Sequence, residues 1–279
     1  MLKNKKIAFI GAGSMAEAII AGLIRKEIIF PEQIIATNKS NKERLQYLEK
    51  TYGIETTSSQ VEAVDVADIV ILAMKPKHME DSAVTIRKQI HEDQLVVSLL
   101  AGTSSSYIES LLEKEIAVIR TMPNTSAHVG ESATVISKGT FASEEHVKIA
   151  ATLFQAIGTV TVLAETDMDV VTGISGSGPA YFYYFTEAME EVAQEAGLSP
   201  QDAKELICQT ILGVAKRLIQ TDKSPKELYE EVMSPGGTTE AAFHVLKENG
   251  VKESFKEAIQ ASIHRSSELG NDKKSATLK

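Results

Sequence analysis

The chain has 279 residues, 43% of them hydrophobic and 24% charged, a balance typical of a folded globular protein rather than a disordered one. Its formal net charge of −9 gives no electrostatic footprint for DNA or RNA, and its longest apolar run, residues 69–74, is far shorter than the ~20 residues that span a membrane. A single cysteine, Cys208, excludes an intrachain disulfide and a multi-cysteine metal site, so we expect a cytoplasmic protein without nucleic-acid or membrane partners.

The first part of the chain alternates short apolar runs with helical patterns. Strands are predicted at residues 7–10, 34–37, 69–74, 95–100, 118–120, 133–137 and 159–163, and helices at 15–26, 42–52, 61–67, 81–89 and from about 143. Strands of continuous hydrophobicity that alternate with helices are typical of a parallel sheet covered on both faces. We therefore predict an α/β domain with a mostly parallel, doubly wound sheet over residues 1–163.

The second part of the chain shows only helical patterns. A serine cap followed by proline marks a helix start at Ser199-Pro200 and again at Ser224-Pro225. Further helices are predicted at residues 169–196, 239–248 and 253–269. Residues 164–279 are therefore predicted to form an all-α domain.

The first predicted strand runs directly into a glycine-rich turn, GAGSMA at residues 11–16. This is the pattern G-x-G-x-x-A between a strand and a helix, which is typical of Rossmann-like dinucleotide sites. Gly11 allows the tight turn, Gly13 lets the backbone approach a pyrophosphate, and small Ala16 permits close packing of helix and strand. The helix N-terminus then offers free N–H groups to the phosphates.

The second predicted strand is followed by residues 38–42, NKSNK, where NAD-dependent proteins usually place an acid for the ribose hydroxyl. No acid is present there, and two lysines are. A carboxylate would repel a 2′-phosphate, whereas Lys39 with asparagine and serine donors can hold one. The segment favours NADPH, with NADH left open.

Two segments of the helical part are unusual. Residues 173–181, GISGSGPAY, put glycines and a proline inside a helical pattern, which indicates a kink or the close approach of a backbone or ligand. Residues 234–239, SPGGTT, stand just before a helix and present free N–H groups and hydroxyls that suit a small carboxylate.

Taken together, these motifs resemble those of the pyrroline-5-carboxylate reductase family over almost the whole chain. The match comprises the fingerprint at 11–16, Lys75-Pro76, the loop 123–125, and the segments 175–181 and 234–239. The resemblance implies reduction of 1-pyrroline-5-carboxylate to L-proline, the final step of proline biosynthesis, by hydride transfer from NAD(P)H to the protonated cyclic imine. It also implies a homodimer through the helical domain, with a larger homo-oligomer left open.

The site residues follow from the same resemblance, with Lys39 added from its position after the second strand. The expected cofactor-binding residues are Ile10, Gly11, Ala12, Gly13, Ser14, Met15, Asn38, Lys39, Ala73, Met74, Lys75, Pro76, Leu99, Leu100, Ala101 and Asn124. The expected substrate-binding residues are Ser177, Gly237, Thr238 and Thr239, and the Thr239 hydroxyl is expected to be the catalytic group that faces the ring nitrogen. The family often has glycine where this chain has Ser132, so the geometry of that loop is left open.

No metal is expected, because none of the six histidines falls in a ligand pattern such as H-E-x-x-H. Hydride addition to a protonated imine needs orientation and a hydrogen bond at nitrogen, but no strong protein base. Two alternatives are weighed against this function. A β-hydroxyacid dehydrogenase would place a catalytic lysine where this chain has Phe182, and a non-catalytic nucleotide sensor would not need the turn at 234–239.

Overall fold

The computed structural model describes residues 2–276, with side chains as far as residue 270. Within that range the strands are β1 (Ile7–Ile10), β2 (Ile34–Thr37), β3 (Glu55–Thr57), β4 (Ile69–Leu72), β5 (Leu95–Ser98), β6 (Ala117–Met122), β7 (Ser132–Lys138) and β8 (Gly158–Val162). They form one sheet in the order β3-β2-β1-β4-β5-β6-β7-β8. All neighbours pair in parallel except β6 and β7, which confirms the predicted mostly parallel sheet.

Helices cover both faces of this sheet, and the described chain after β8 consists of helices joined by turns. The helices are α1 (Ser14–Arg25), α2 (Lys42–Tyr52), α3 (Gln60–Asp65), α4 (Met79–Ile86), α5 (Ser105–Leu112), α6 (Glu144–Phe154), α7 (Met168–Val171), α8 (Gly178–Glu195), α9 (Pro200–Ile219), α10 (Pro225–Val232), α11 (Thr238–Glu248) and α12 (Val251–Ala276). A π-helical turn, Thr172–Gly176, lies between α7 and α8. No strand follows β8 in the described part of the chain, as predicted for the helical second part.

The continuous hydrophobicity of the strands is explained by burial on two faces. Phe9 and Ile71 pack with residues of α1, α2 and α6 on one face of the sheet. Their chain neighbours Ala8 and Val70 pack with α3, α4 and α5 on the other. All four side chains are fully buried, so neither face of β1 or β4 is in contact with water.

Two elements of this domain were not predicted from the sequence. Strand β3 is polar and only partly buried at the edge of the sheet, so its three residues lack a hydrophobic pattern. Helix α5 is short and begins in a serine-rich stretch, where the Ser104 hydroxyl caps it by accepting a hydrogen bond from the Tyr107 N–H.

The chain divides into two compact units at a different place from the predicted boundary. One unit runs to Pro179 and resumes at Ser262, and the other is Ala180–Ala261. The last strand ends at Val162, so residue 163 marks the end of the sheet rather than the edge of the first unit. As a domain boundary it stays a prediction.

The first unit extends beyond the sheet because the segment after β8 packs back onto it. Met168 and Val171 of α7 are buried in a cluster with Met122 of β6. The buried Arg120 of β6 places its Nη1 3.4 Å from the Glu165 carboxylate. An apolar cluster and an ion pair therefore hold residues 165–171, which precede the π-helical turn, against the sheet.

The second unit contains only helices. Phe255 of α12 packs edge-on against Tyr181 and Phe185 of α8, with ring centroids 5.6 and 5.5 Å apart. Tyr229 of α10 and Phe243 of α11 lie 4.8 Å apart. Among residues 2–276, no helix combines the length and the apolar composition that a bilayer crossing requires.

Candidate active site

A cavity of about 680 Å³ opens at the carboxyl ends of β1, β2 and β4. It is lined by residues 11–13, 37–40, 58–61 and 73–75, together with four side chains of α4 and the turn before it. The strand order reverses direction between β1 and β4, and such switch points are where open parallel sheets bind their ligands. The cavity is therefore the candidate cofactor site.

Gly11 is required by the backbone at the floor of the cavity. Its φ is 111°, a conformation that other residues rarely adopt. A Cβ atom there would lie 2.7 Å from the Met74 nitrogen and 2.8 Å from the Ala73 carbonyl carbon. Any side chain at this position would push β1 away from the end of β4.

The turn after Gly11 fits the phosphates of a dinucleotide. A Cβ atom on Gly13 would meet nothing within 4 Å, so the backbone there faces open space. Gly13 caps α1, and the first hydrogen bond of the helix runs from the Glu17 N–H to the Gly13 carbonyl. The N–H groups of Ser14, Met15 and Ala16 are consequently free for an anion. We call residues 11–16 the dinucleotide cradle.

Arg44 of α2 holds the dinucleotide cradle from behind. Its Nε donates to the Ala12 carbonyl at 2.8 Å and its Nη2 to the Gly13 carbonyl at 3.3 Å. The same guanidinium is paired with Glu17 at 2.5 Å. Because both carbonyls are turned toward Arg44, the N–H groups of the cradle point the other way. The contact joins residues that are 31 and 32 positions apart, and no local sequence signal identifies it.

A hydrogen bond from Tyr52 completes this support. The Tyr52 hydroxyl donates to Glu17 at 2.9 Å. Burial and this bond to a carboxylate raise the pKa of Tyr52 to about 12. Burial alone would raise the pKa of Glu17, but the hydrogen bonds from Arg44 and Tyr52 and the Arg44 charge outweigh it and hold that pKa below its usual value.

The turn after β2 forms the wall at which a ribose would lie. Asn38 uses its side-chain oxygen to accept hydrogen bonds from the Ser40 and Asn41 N–H groups, at 3.2 and 3.0 Å. Lys39 lines the cavity, and within the described residues no acid pairs with it. The Thr37 hydroxyl accepts a bond of 3.3 Å from the Gly11 N–H and so links this wall to the cradle.

The structure brings about half of the expected cofactor residues into the cavity wall. Those that line it are Gly11, Ala12, Gly13, Asn38, Lys39, Ala73, Met74 and Lys75. Those outside its lining are Ile10, Ser14, Met15, Pro76, Leu99, Leu100, Ala101 and Asn124.

Asn124 has a clear local role. Its side-chain nitrogen donates to the Ser175 carbonyl at 3.0 Å, and its side-chain oxygen accepts from the Ser126 N–H. Its own N–H donates to the hydroxyl of Ser132, at 3.1 Å. Asn124 therefore connects the end of β6 to the π-helical turn, and Ser132, whose loop geometry was left open from the sequence, takes part in this network.

The remaining wall of the cavity was not predicted. It consists of residues 58–61 before and within α3, and of His78, Asp81, Ser82 and Thr85. The Ser82 hydroxyl donates to the Gln60 side-chain oxygen at 2.7 Å and so joins the two helices. These residues follow the polar strand β3 or belong to α4 and the turn before it, so only the fold shows that they face the same cavity.

The expected substrate residues are divided between the two units. Ser177 belongs to the first unit, where its N–H closes the π-helical turn on the Thr172 carbonyl at 2.8 Å. Its hydroxyl lies 3.0 Å from that of Ser262. Gly237, Thr238 and Thr239 belong to the second unit.

Residues 234–239, which we call the glycine turn, lead into α11. Gly237 caps the helix, and its N–H donates to the Ser234 carbonyl at 2.9 Å. The Gly236 N–H donates to the Glu240 carboxylate at 2.7 Å. The N–H groups of Thr238 and Thr239 stand at the start of the helix, where they have no partner within it. Thr239 is half-buried. A small carboxylate fits this arrangement.

The described residues contain no group of three or more His, Cys, Asp or Glu side chains that could hold a metal ion.

Comparisons with known proteins match both parts of the chain. The family model for pyrroline-5-carboxylate reductase dimerisation matches residues 165–269, and the model for NADP oxidoreductase, coenzyme F420-dependent, matches residues 6–102. Pyrroline-5-carboxylate reductase 1 of Bacillus spizizenii is 44% identical over 96% of this chain and 91% of its own length.

Solved structures give the same result. A pyrroline-5-carboxylate reductase from Coxiella burnetii superposes with a TM-score of 0.85 at 34% identity, covering 96% of this chain and 99% of the other. Plasmodium falciparum pyrroline carboxylate reductase with NADP bound superposes with a TM-score of 0.89 at 28% identity, over the same shares of the two chains.

Proposed function

The chain belongs to the pyrroline-5-carboxylate reductase family, and from this we propose that it reduces 1-pyrroline-5-carboxylate to L-proline with NADPH. The observation that carries the proposal is the similarity to a named reductase at 44% identity over 96% of the chain. The near-complete match favours this function over a β-hydroxyacid dehydrogenase or a nucleotide sensor. The chain is thus an NAD(P)-dependent oxidoreductase of proline biosynthesis.

The cofactor is held by the first unit. The pyrophosphate lies at the free N–H groups of the dinucleotide cradle, and the adenosine ribose lies against Asn38 and Lys39, whose ammonium group binds the 2′-phosphate. The segments 73–76 and 99–101 and the Asn124 side chain contact the cofactor between its pyrophosphate and its nicotinamide. This placement is supported by the cavity itself, because the loops that follow β1, β2 and β4 all line it.

The glycine turn and Ser177 bind the substrate. The turn Gly237-Thr238-Thr239 holds the substrate carboxylate at the positive end of α11, through the N–H groups of Thr238 and Thr239, because the Gly237 N–H already donates to the Ser234 carbonyl. The Thr239 hydroxyl accepts a hydrogen bond from the protonated ring nitrogen and so orients the imine. NADPH, when bound, supplies the hydride that adds to the carbon of the C=N bond. No residue needs to act as a strong base, because the imine is already protonated when it reacts.

The helical second part carries a self-association surface. The family model for dimerisation covers residues 165–269 and supports a homo-oligomer. Large apolar side chains on α8 and α9 remain exposed in the single chain, including Phe182 at 64%, Tyr184 at 71% and Ile219 at 84%. We assign the homodimer contact to this surface. A monomer in light scattering at working concentration would contradict this assignment.

A cytoplasmic location is part of the same proposal. It rests on the biosynthetic role of the family and on the single cysteine, Cys208, which is exposed and unpaired.

A direct assay tests the function. Purified protein with NADPH should lose the absorbance of the reduced nicotinamide only after 1-pyrroline-5-carboxylate is added, and chromatography should show L-proline in equal amount. NADPH oxidation with a 2-hydroxy or 3-oxo acid, and none with the cyclic imine, would refute the proposal.

A further inference from the structure

The α4 wall of the cavity carries a carboxylate that has no partner among the described side chains, which extend to residue 270. Asp81 lines the cavity together with Ser82 and Thr85. In the described part of the chain its side chain forms no ion pair and accepts no hydrogen bond, and its contact with Thr85 is through the backbone carbonyl alone, at 2.8 Å.

Ser82, Gln60 and Ser59 on this wall already have hydrogen-bond partners in the chain. Ser82 donates to Gln60 across the gap between α4 and α3. The Ser59 hydroxyl caps α3 by accepting the Glu62 N–H at 3.2 Å. Asp81 therefore stands as the negative group on this wall that is free to accept a hydrogen bond from a ligand.

The chemistry of the cofactor limits what Asp81 can bind. NADPH is a polyanion, and a carboxylate that faces it is unfavourable unless it accepts a hydrogen bond. With the pyrophosphate at the cradle and the ribose at Asn38 and Lys39, the part of the cavity left for the base is the wall between α3 and α4. The donor that adenine presents on its outer edge is the exocyclic amino group.

We propose that the Asp81 carboxylate accepts a hydrogen bond from the exocyclic amino group of adenine, and so makes the site selective for adenine dinucleotides. A base with an oxygen at the same position, such as hypoxanthine, would present an acceptor to the carboxylate and be rejected. This inference rests on the proposed function, because it requires NADPH in this cavity.

The test compares NADPH with its deamino analogue, in which hypoxanthine replaces adenine. Dissociation constants for both are measured from nicotinamide fluorescence, without substrate, for the unmodified protein, Asp81→Asn and Asp81→Glu. Asp93→Asn is the matched control, because Asp93 is exposed and lies before β5, at the opposite ends of the strands from the cavity.

The unmodified protein and Asp93→Asn should bind NADPH about tenfold more tightly than the analogue, as expected for a lost hydrogen bond to a charged group. Asp81→Asn should abolish or invert this preference, because an amide can donate a hydrogen bond to the hypoxanthine oxygen. Asp81→Glu keeps the carboxylate and should still bind NADPH more tightly than the analogue. Equal preference in the unmodified protein and Asp81→Asn would overturn the inference while NADPH binding itself still stood. Absence of NADPH binding to the unmodified protein would overturn the cofactor site as well.

Discussion

The dinucleotide cradle and the glycine turn both lie at helix N-termini, but they are held in different ways. The cradle is fixed by distant residues: Gly11 lies against the backbone of Met74, and Arg44 reaches in from α2. The glycine turn is fixed by residues within four positions of each other, through bonds from Gly237 to Ser234 and from Gly236 to Glu240. The cradle is therefore part of the folded core, whereas the turn is a local structure whose chemistry depends on few groups.

This difference predicts that substitutions in the cradle change stability or cofactor binding, while substitutions in the glycine turn change substrate binding or turnover and leave stability and cofactor binding unchanged. The tests below run from the largest expected effect to the smallest.

Gly11→Ala should be the most damaging single change. The new methyl group would meet backbone atoms at 2.7–2.8 Å in a conformation that alanine resists, so we expect a loss of about 3 kcal/mol in the free energy of unfolding. NADPH binding should be lost with it. Gly13→Ala is the matched control, because its Cβ would enter open space: its melting temperature should stay close to that of the unmodified protein while NADPH affinity falls. Equal melting temperatures for both variants would contradict the steric account of Gly11.

Thr239→Val should lower kcat/KM for the imine by about 10- to 100-fold, because it removes the hydrogen bond that orients the protonated imine for hydride addition. The melting temperature and the dissociation constant for NADPH should not change. Thr239→Ser keeps the hydroxyl and should retain most of the activity. If kcat/KM of Thr239→Val equalled that of the unmodified enzyme, the hydroxyl would have no role.

Lys39→Glu should change the choice of cofactor by about tenfold. The carboxylate would repel the 2′-phosphate of NADPH and could bind the free ribose hydroxyl of NADH. KM values for both cofactors measure the effect, with Lys42→Glu, three residues further on and outside the cavity lining, as the control. An unchanged ratio in Lys39→Glu would show that this lysine does not contact the cofactor.

The support behind the cradle should give a small dependence of stability on pH. The pKa of Glu17 is held below its ordinary value of 4.5 in the folded chain. Its carboxylate therefore stabilises the folded state above that value, and the contribution is lost as the pH falls through the lowered pKa. Glu17→Gln should unfold more easily near neutral pH and should lose less of its remaining stability on acidification. Parallel acid unfolding curves for the two proteins would contradict this coupling.

Much of the first unit could be predicted from the sequence, because its strands are buried on both faces and their hydrophobicity is continuous. The cradle could be predicted as well, since the roles of Gly11 and Gly13 are encoded in adjacent residues. Strand β3 could not, because Glu55–Thr57 is polar at the edge of the sheet.

The parts of the site that were missed depend on contacts far apart in the chain. Arg44 reaches the cradle from 31 and 32 residues away. Ser177 was expected at the site, but its contact with Ser262, 85 residues further on, was not. Asp81 can be recognised as a candidate ligand contact only from the fold, which places α4 in the wall of the same cavity as the cradle. Periodicity and local motifs cannot show such pairs, because they describe one element at a time.

The most direct test of the proposed reaction follows the hydride itself. The enzyme is incubated with 1-pyrroline-5-carboxylate and NADPH carrying deuterium at the transferable position of nicotinamide C4, and the product is analysed by mass spectrometry. We predict L-proline with one deuterium on the ring carbon that was part of the C=N bond. Proline without the label, or a labelled product other than proline, would contradict the assigned reaction.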